Sequence, residues 1–299
     1  MIKSQAFHFE RFRAVYKSLQ DSPHLEKLYC SQSPDQTLQS QSNEFLEWFI
    51  GFTEGDGSFI VTKRNDLKFV ITQSTEDKQV LDWIQNTLGF GKVIAQGKRT
   101  SRFIVQDTKG IFLILLLFNG NLVLPTRKKN FLCFLGAFNQ KIKERKINYE
   151  RIEYIESQIL PSLDTSWLAG FTDAEGCFTV SFLTQPVNSK AFRLRYIVSQ
   201  KGDANLPILS HLIVLFQGGS IEAHSIKSNY SYICSGKKNC YKIYSYFNRF
   251  RLKTKKQESY TLWKEIHIKI ARKEHHDDKL RQECIELAKQ VNRVRRKSK

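Results

Sequence analysis

Four acidic side chains occur in two matching settings. Glu54 and Asp56 close the segment EFLEWFIGFTEGDGSF (44–59), and Asp173 and Glu175 close TSWLAGFTDAEGCF (165–178). In each, an apolar, helix-forming run ends abruptly in carboxylates. Gly51 and Gly55 lie four apart and share one helix face, as do Gly170 and Ala174. Small residues at that spacing let two helices approach backbone to backbone. Their neighbours, Trp48, Phe49, Ile50 and Phe52 in the first and Trp167, Leu168, Ala169 and Phe171 in the second, call for burial nearly all round. Two such helices packed on a pseudo-twofold axis would bring Asp56 and Glu175 close together. Carboxylates placed so repel and raise each other's pKa, and a divalent cation removes the conflict. Oxygen donors with no His or Cys beside them suit Mg²⁺. A basic protein with such acids on its dyad is arranged to cut two phosphodiesters, one in each strand. Glu54 and Asp173 read instead as structural, pairing or capping near the helix end.

The charge supports a polyanionic partner. In 299 residues, 47 Lys and Arg face 29 Asp and Glu, a net charge of +18, which points to nucleic acid or an anionic membrane surface. With 41% hydrophobic and 25% charged residues the chain has globular composition. The longest uninterrupted apolar run, Ile111 to Phe118, is eight residues, too short to span a bilayer. The opening MIKSQAFHFERFRAVY lacks the apolar core of a secretory signal. Six cysteines form no CxxC pair, which predicts reduced thiols in an intracellular compartment. Cys30 reads as exposed and the other five as small core residues.

The elements that must position the acids repeat. Beyond the two acidic segments, KFVITQ (68–73) matches RYIVSQ (195–200), and LPTRKKNFLCF (124–134) matches LKTKKQESYTLW (252–263). The offsets are 119, 127 and 128 residues, and the order is kept. The early change fits a longer hairpin in the second half, where Pro186 and Asn188 lie. Each half opens with an apolar helix, 44–55 or 165–174. Alternating strands follow, SFIVTKR and LKFVITQ or CFTVSFL and FRLRYIVSQ. A helix comes next, in TEDKQVLDWIQNTLG or DANLPILSHLIVLF. Two strands then flank a polar turn, GKVIAQ and SRFIVQ or GSIEAH and YSYICS, and helices close the half. The prediction is an α+β protein of two pseudo-symmetric αββαββα halves, each an antiparallel sheet with helices on one face. The divisions are an appended arm or linker at 1–43, ending in the Ser/Gln-rich CSQSPDQTLQSQSN, a first half at 44–142, a linker at 143–164, and a second half at 165–299. The second half ends in the basic VNRVRRKSK.

FIGFTEGDG (49–57) and LAGFTDAEG (168–176) resemble the two signature motifs of single-chain LAGLIDADG homing endonucleases, and the resemblance extends over about residues 44 to 272. It implies saddle-shaped sheets with the motif helices packed at the centre. It places the metal-binding acids on Asp56 and Glu175, with Gly55 and Ala174 beside them in the metal site. Gln73 and Gln200 match a Gln at the end of the second strand, near the scissile phosphates. A basic residue at the start of a later helix falls in Thr126-Arg127-Lys128 and Thr254-Lys255-Lys256, with Lys128 and Lys256 favoured, where it can stabilise phosphorane charge or orient solvent. The first motif departs at its opening, Phe49-Ile50, without touching a ligand. The implied reaction is hydrolysis by metal-activated water, with Mg²⁺ as cofactor and Ca²⁺ supporting binding without cleavage, leaving short 3′ overhangs on a long, non-palindromic double-stranded DNA. The implied protein is a monomer, intron-encoded and organellar, in the mitochondrion rather than the chloroplast. The alternative is an RNA maturase that assists splicing of its host intron, and a third reading is a DNA-binding regulator without cleavage.

Period-two alternation separates the sheet faces. It sends Phe59, Val61, Phe178, Val180 and Phe182 inward. On the other face it leaves Ser58, Thr62, Lys68, Thr72, Lys92, Gln96 and Arg102 in the first half, and Thr179, Ser181, Arg193, Arg195, Ser199 and Glu222 in the second, as candidate DNA contacts. Arg on guanine and Gln on adenine are the expected direct pairings in a major groove. The run Glu274-His275-His276-Asp277-Asp278 reads as a solvated helix or turn, since adjacent helical residues share no face, and Trp83 and Trp263 read as core.

Overall fold

The computed structural model describes residues 5–20, 42–183 and 190–291. The chain divides into two compact units, Met1–Phe171 and Thr172–Lys299. The boundary falls inside the second motif helix, whose first turn belongs to the first unit.

The first unit contains α1 (Glu10–Gln20), α2 (Asn43–Asp56), β1 (Gly57–Val61), β2 (Leu67–Ser74), α3 (Lys78–Leu88), β3 (Lys92–Gln96), β4 (Thr100–Val105), α4 (Thr108–Phe118) and α5 (Pro125–Glu144). Helix α6 (Trp167–Glu175) crosses the boundary. The second unit continues with β5 (Gly176–Phe182), β6 (Phe192–Lys201), α7 (Leu206–Leu215), β7 (Ser220–Ala223), β8 (Asn229–Ser235), α8 (Lys237–Tyr241), α9 (Tyr244–Arg249), α10 (Lys256–Ala271) and α11 (Asp278–Ala288). The sheets are antiparallel and share one topology, β1-β2-β4-β3 and β5-β6-β8-β7. The α+β class and the duplicated layout are those the sequence predicts.

Helix α2 starts at Ser42, whose Oγ accepts the Phe45 N–H at 3.1 Å, a capping bond that satisfies one of the helix's unpaired donors. Its apolar residues are buried on every side. The alternation of the strands then decides the core. The Phe59 ring packs against Phe69, Phe118, Phe131 and Phe134. The Phe178 ring packs against Tyr196, Phe247, Tyr260 and Trp263. Trp83 sits edge-on to Phe45 and Trp48.

Several expectations change. Residues 5–20 are no loose arm: Phe9, Phe12 and Tyr16 are buried, and α1 packs on α4. The His8 N–H donates to Asn121 Oδ1 at 2.8 Å and Asn121 Nδ2 donates back to the His8 carbonyl at 2.7 Å. The reason lies in α4, TKGIFLILLLF, where every residue from Gly110 to Phe118 is buried; an all-apolar helix leaves a face that something must cover. The segment 143–164 is likewise tied down. Asn139 exchanges two bonds with the Ile152 backbone, and Asn119 bonds the Glu153 carbonyl and the Ile155 N–H. Val61 is exposed rather than inward, at the end of β1, and Cys133 is exposed rather than core. His275 is buried, its ring edge-on to Phe192, so that part of the acidic–histidine run is not solvated. The readings made for Cys30, the Ser/Gln-rich segment up to residue 41, the hairpin at Pro186 and Asn188, and residues 292–299 lie outside the described residues.

Candidate active site and nucleic-acid interface

Asp56 ends α2, where the last carbonyls of a helix lack partners and carry the negative end of its dipole. Gln73, at the end of β2, donates from Nε2 to Asp56 Oδ2 at 2.5 Å. Arg127, in the first turn of α5, closes the helix end. Its Nε donates to the Glu54 carbonyl at 2.5 Å, Nη2 to the Gly55 carbonyl at 2.5 Å, and Nη1 to the Gly57 carbonyl at 3.0 Å. A planar guanidinium suits three such acceptors.

The second unit repeats this with its own atoms. Gln200 Nε2 donates to Glu175 Oε1 at 3.3 Å. Lys256 Nζ donates to the Ala174 carbonyl at 2.6 Å and the Thr172 carbonyl at 3.2 Å. Each half-site therefore holds a carboxylate at a helix C-terminus, a Gln beside it, and a cation on the preceding carbonyls.

Lys128 is placed differently from its expected role. Its Nζ donates to the Ser157 carbonyl at 2.5 Å and lies 3.4 Å from Glu156 Oε1, fastening the segment after α5. Successive residues of a helix point about 100° apart, so only one of Arg127 and Lys128 can face the end of α2, and it is Arg127. The Gly55 and Ala174 carbonyls, expected beside a metal, are engaged by Arg127 and Lys256. A carbonyl oxygen has two lone pairs, so such a bond leaves it able to accept once more.

Glu54 and Asp173 organise the loops that carry these cations. Glu54 is fully buried. Its Oε1 accepts the Val123 and Leu124 N–H groups at 2.9 and 2.6 Å, and its Oε2 accepts the Trp167 indole N–H at 2.6 Å. Asp173 accepts the Lys253 and Thr254 N–H groups at 2.8 and 3.0 Å and the Thr254 hydroxyl at 2.6 Å. Each acid thus fixes the residues just before α5 or α10, and so positions Arg127 or Lys256. Burial pushes the Glu54 carboxyl up from 4.5 to about 7, against the lowering pull of its bonds to Leu124, Trp167 and Val123 and of the Arg127 charge. The folded chain then holds this proton more tightly than the unfolded chain does. Glu54's contribution to stability is greatest below the unfolded value and is lost as pH rises through about 7, a loss on the order of 3 kcal/mol. Urea denaturation between pH 5 and 8 should show this decline in the wild type and a flatter profile in Glu54→Gln; equal slopes would contradict it.

Register places the candidate DNA contacts. In the first sheet Ser58 pairs with Val70, Thr72 with Arg102, and Lys92 with Ile104, so Ser58, Lys68, Thr72, Lys92, Gln96 and Arg102 share the face away from the Phe59 cluster. Thr62 falls beyond β1, in the turn, where its Oγ1 accepts the Asp66 N–H at 3.0 Å. In the second sheet Thr179 pairs with Arg195, Ser181 with Arg193, Ser199 with Ser231, and Glu222 with Ser231, which puts all six candidates on one face. That face also carries a contact the sequence reading missed: His224 Nε2 lies 2.6 Å from Ser231 Oγ, which lies 2.6 Å from Ser199 Oγ. Among the described residues no group of three or more His, Cys, Asp or Glu is disposed to hold a metal, and no helix is long and apolar enough to cross a membrane.

A family model described as LAGLIDADG endonuclease matches residues 49–138 and 168–267. The Neurospora crassa protein "Probable intron-encoded endonuclease 4" is 40% identical over 251 residues, 83% of this chain and 44% of that protein, so the chain spans less than half of its length. The Schizosaccharomyces pombe "Uncharacterized cox1 intron-2 37.2 kDa protein" is 24% identical over 243 residues, 81% of this chain and 71% of that one. Among solved structures, the LAGLIDADG meganuclease I-AabMI bound to uncleaved DNA superposes with a TM-score of 0.70 at 21% identity, over 83% of this chain and 99% of that chain, a likeness of fold.

Proposed function

We propose that this chain, which belongs to the LAGLIDADG endonuclease family, is a site-specific endonuclease that hydrolyses one phosphodiester in each strand of a long, non-palindromic DNA target, using Mg²⁺ and leaving short 3′ overhangs. The observation that carries this reading is the duplicated half-site: Asp56 with Gln73 and Arg127, and Glu175 with Gln200 and Lys256. A binding protein has no need of two such acids, each held by a Gln and flanked by a pinned cation.

The donor set fits a hard divalent cation, since carboxylate and carbonyl oxygens stand there without sulfur or imidazole. In the first half-site Asp56 would hold metal with the Gly55 carbonyl as a further oxygen donor, and in the second Glu175 would do so with the Ala174 carbonyl. When bound, the metal polarises the phosphoryl oxygen and lowers the pKa of a water. Gln73 and Gln200 orient the carboxylates. Arg127 and Lys256 supply fixed positive charge where the anionic transition state builds up, without reorganisation at the moment of reaction. The sheet faces bearing Lys68, Lys92, Arg102, Arg193 and Arg195 bind the duplex and set its register. As the protein of a mitochondrial intron, acting as a monomer, it would cut the uninterrupted form of its host gene.

The test is a cleavage assay on DNA carrying the uninterrupted gene sequence around candidate insertion sites. With Mg²⁺, one linear product with short 3′ overhangs is expected; with Ca²⁺, a retarded complex without cutting. Binding to structured intron RNA with no DNA cleavage would replace this reading with the maturase.

A further inference from the structure

The DNA-facing side of the first sheet is apolar at two places where the second sheet is not. Ile60 on β1 and Ile94 on β3 are 39% and 46% exposed. Both belong to the open face: Ile60 pairs with Lys68 and Ile94 with Arg102. They lie on the two edge strands of the β1-β2-β4-β3 sheet. The duplication supplies an internal control. Ile60 is the third residue after Gly57, and its equivalent after Gly176 is Thr179, which pairs with Arg195. Ile94 is the third residue of β3, and its equivalent in β7 is Glu222, which pairs with Ser231. The same fold therefore forms with a hydroxyl or a carboxylate at these positions, so folding does not demand isoleucine there.

Resting on the endonuclease reading, we propose that Ile60 and Ile94 read thymine in the half-site bound by the first sheet, by packing on its C5-methyl group. The cationic neighbours decide the occupant. Lys68, Lys92 and Arg102 surround the two side chains on the same face, in a chain of net charge +18, and the buried Nε of Arg102 has no hydrogen-bond partner among the described residues. What covers this face is a polyanion that also displays apolar groups. The major groove of DNA displays one such group, the thymine methyl. Uracil lacks it, so the same two residues favour DNA over RNA of equal sequence. Thr179 and Glu222 give the second sheet different preferences, and the target is asymmetric in base type as well as in sequence.

The experiment uses the full chain. Duplexes are selected from a randomised library in Ca²⁺ buffer, and the winning site is remade with deoxyuridine in place of each thymine in turn. In one half-site, two replacements are expected to weaken binding about three- to fourfold each, the worth of one buried methyl. Ile60→Ser should abolish the penalty at one of them and Ile94→Glu at the other, while Val214→Ala, at an exposed position of α7 outside both sheets, should alter neither. Equal affinity for thymine and deoxyuridine throughout, with binding intact, would overturn the proposal and leave the endonuclease reading standing. A penalty that persists in both isoleucine variants would also overturn it, because it would then come from the DNA alone. Failure to select any duplex would overturn both readings.

Discussion

Asp56→Asn is expected to lower cleavage of the target by about 10³-fold or more, equivalent to some 4 kcal/mol of transition-state stabilisation, while affinity in Ca²⁺ or EDTA stays within a few-fold. The argument is one of charge. Asparagine keeps an oxygen that can accept the Gln73 amide now bonded to Asp56 at 2.5 Å, so the helix end and the strand end stay joined. It removes the negative charge that would hold a hard cation against the positive groups nearby. Glu175→Gln should behave alike, since Gln200 bonds Glu175 in the same manner. If the two half-sites serve different strands, either variant should also accumulate nicked DNA before any linear product. Single-turnover cleavage on a supercoiled plasmid reads both quantities. Arg127→Ala should slow the same reaction far more than Lys128→Ala, because only Arg127 reaches the carbonyls beside Asp56. Cleavage by Asp56→Asn within tenfold of wild type would remove Asp56 from the metal site.

The parts of this site legible in sequence are those written in short-range patterns. The motif helices announce themselves by glycine spacing and terminal acids, the strands by alternation, and the duplication by co-linear matches, so Asp56 pairs with Glu175 and Gln73 with Gln200 across the repeat in the sequence itself. Glu54 and Asp173 were legible as structural acids, but not what they hold: their partners lie about 70 to 80 residues away, at Val123, Leu124, Lys253 and Thr254. The choice between Arg127 and Lys128 depends on which side of α5 meets α2, a fact of tertiary packing. The same helix hides its outer side in sequence. Cys133 reads as core among its apolar neighbours, yet Leu132 and Cys133 face out while Phe131 and Phe134 face in. Helix α1 is the larger omission. Phe9, Phe12 and Tyr16 form an apolar side suited to α4, but three apolar residues near a chain end carry little signal until the uncovered face of α4 is known.

The largest effect on stability should come from the glycines of the motif helices. A Cβ placed on Gly51 would lie 2.0 Å from the Trp167 carbonyl oxygen and 2.9 Å from the Phe171 nitrogen; one on Gly170 would lie 1.9 Å from the Trp48 carbonyl oxygen. These are backbone atoms within helices, so no side-chain rotation can relieve the contact, and the helices must separate. Separation would also strain the Trp167 bond to Glu54 and the Ser166 hydroxyl bond to the Glu44 carbonyl. Gly51→Ala or Gly170→Ala should therefore cost about 3 kcal/mol or more, the upper range for overpacking. Gly136, on the exposed side of α5 with nothing within 4 Å of its added Cβ, gives the opposite sign: alanine there should stabilise by about 0.5–1 kcal/mol, the helix-propensity difference. Urea midpoints for the three variants, measured side by side, separate a steric cost from a general sensitivity to glycine replacement. Were Gly51→Ala to unfold at the wild-type midpoint, the close backbone approach of the two motif helices would be disproved, and with it the reason their small residues recur at a spacing of four.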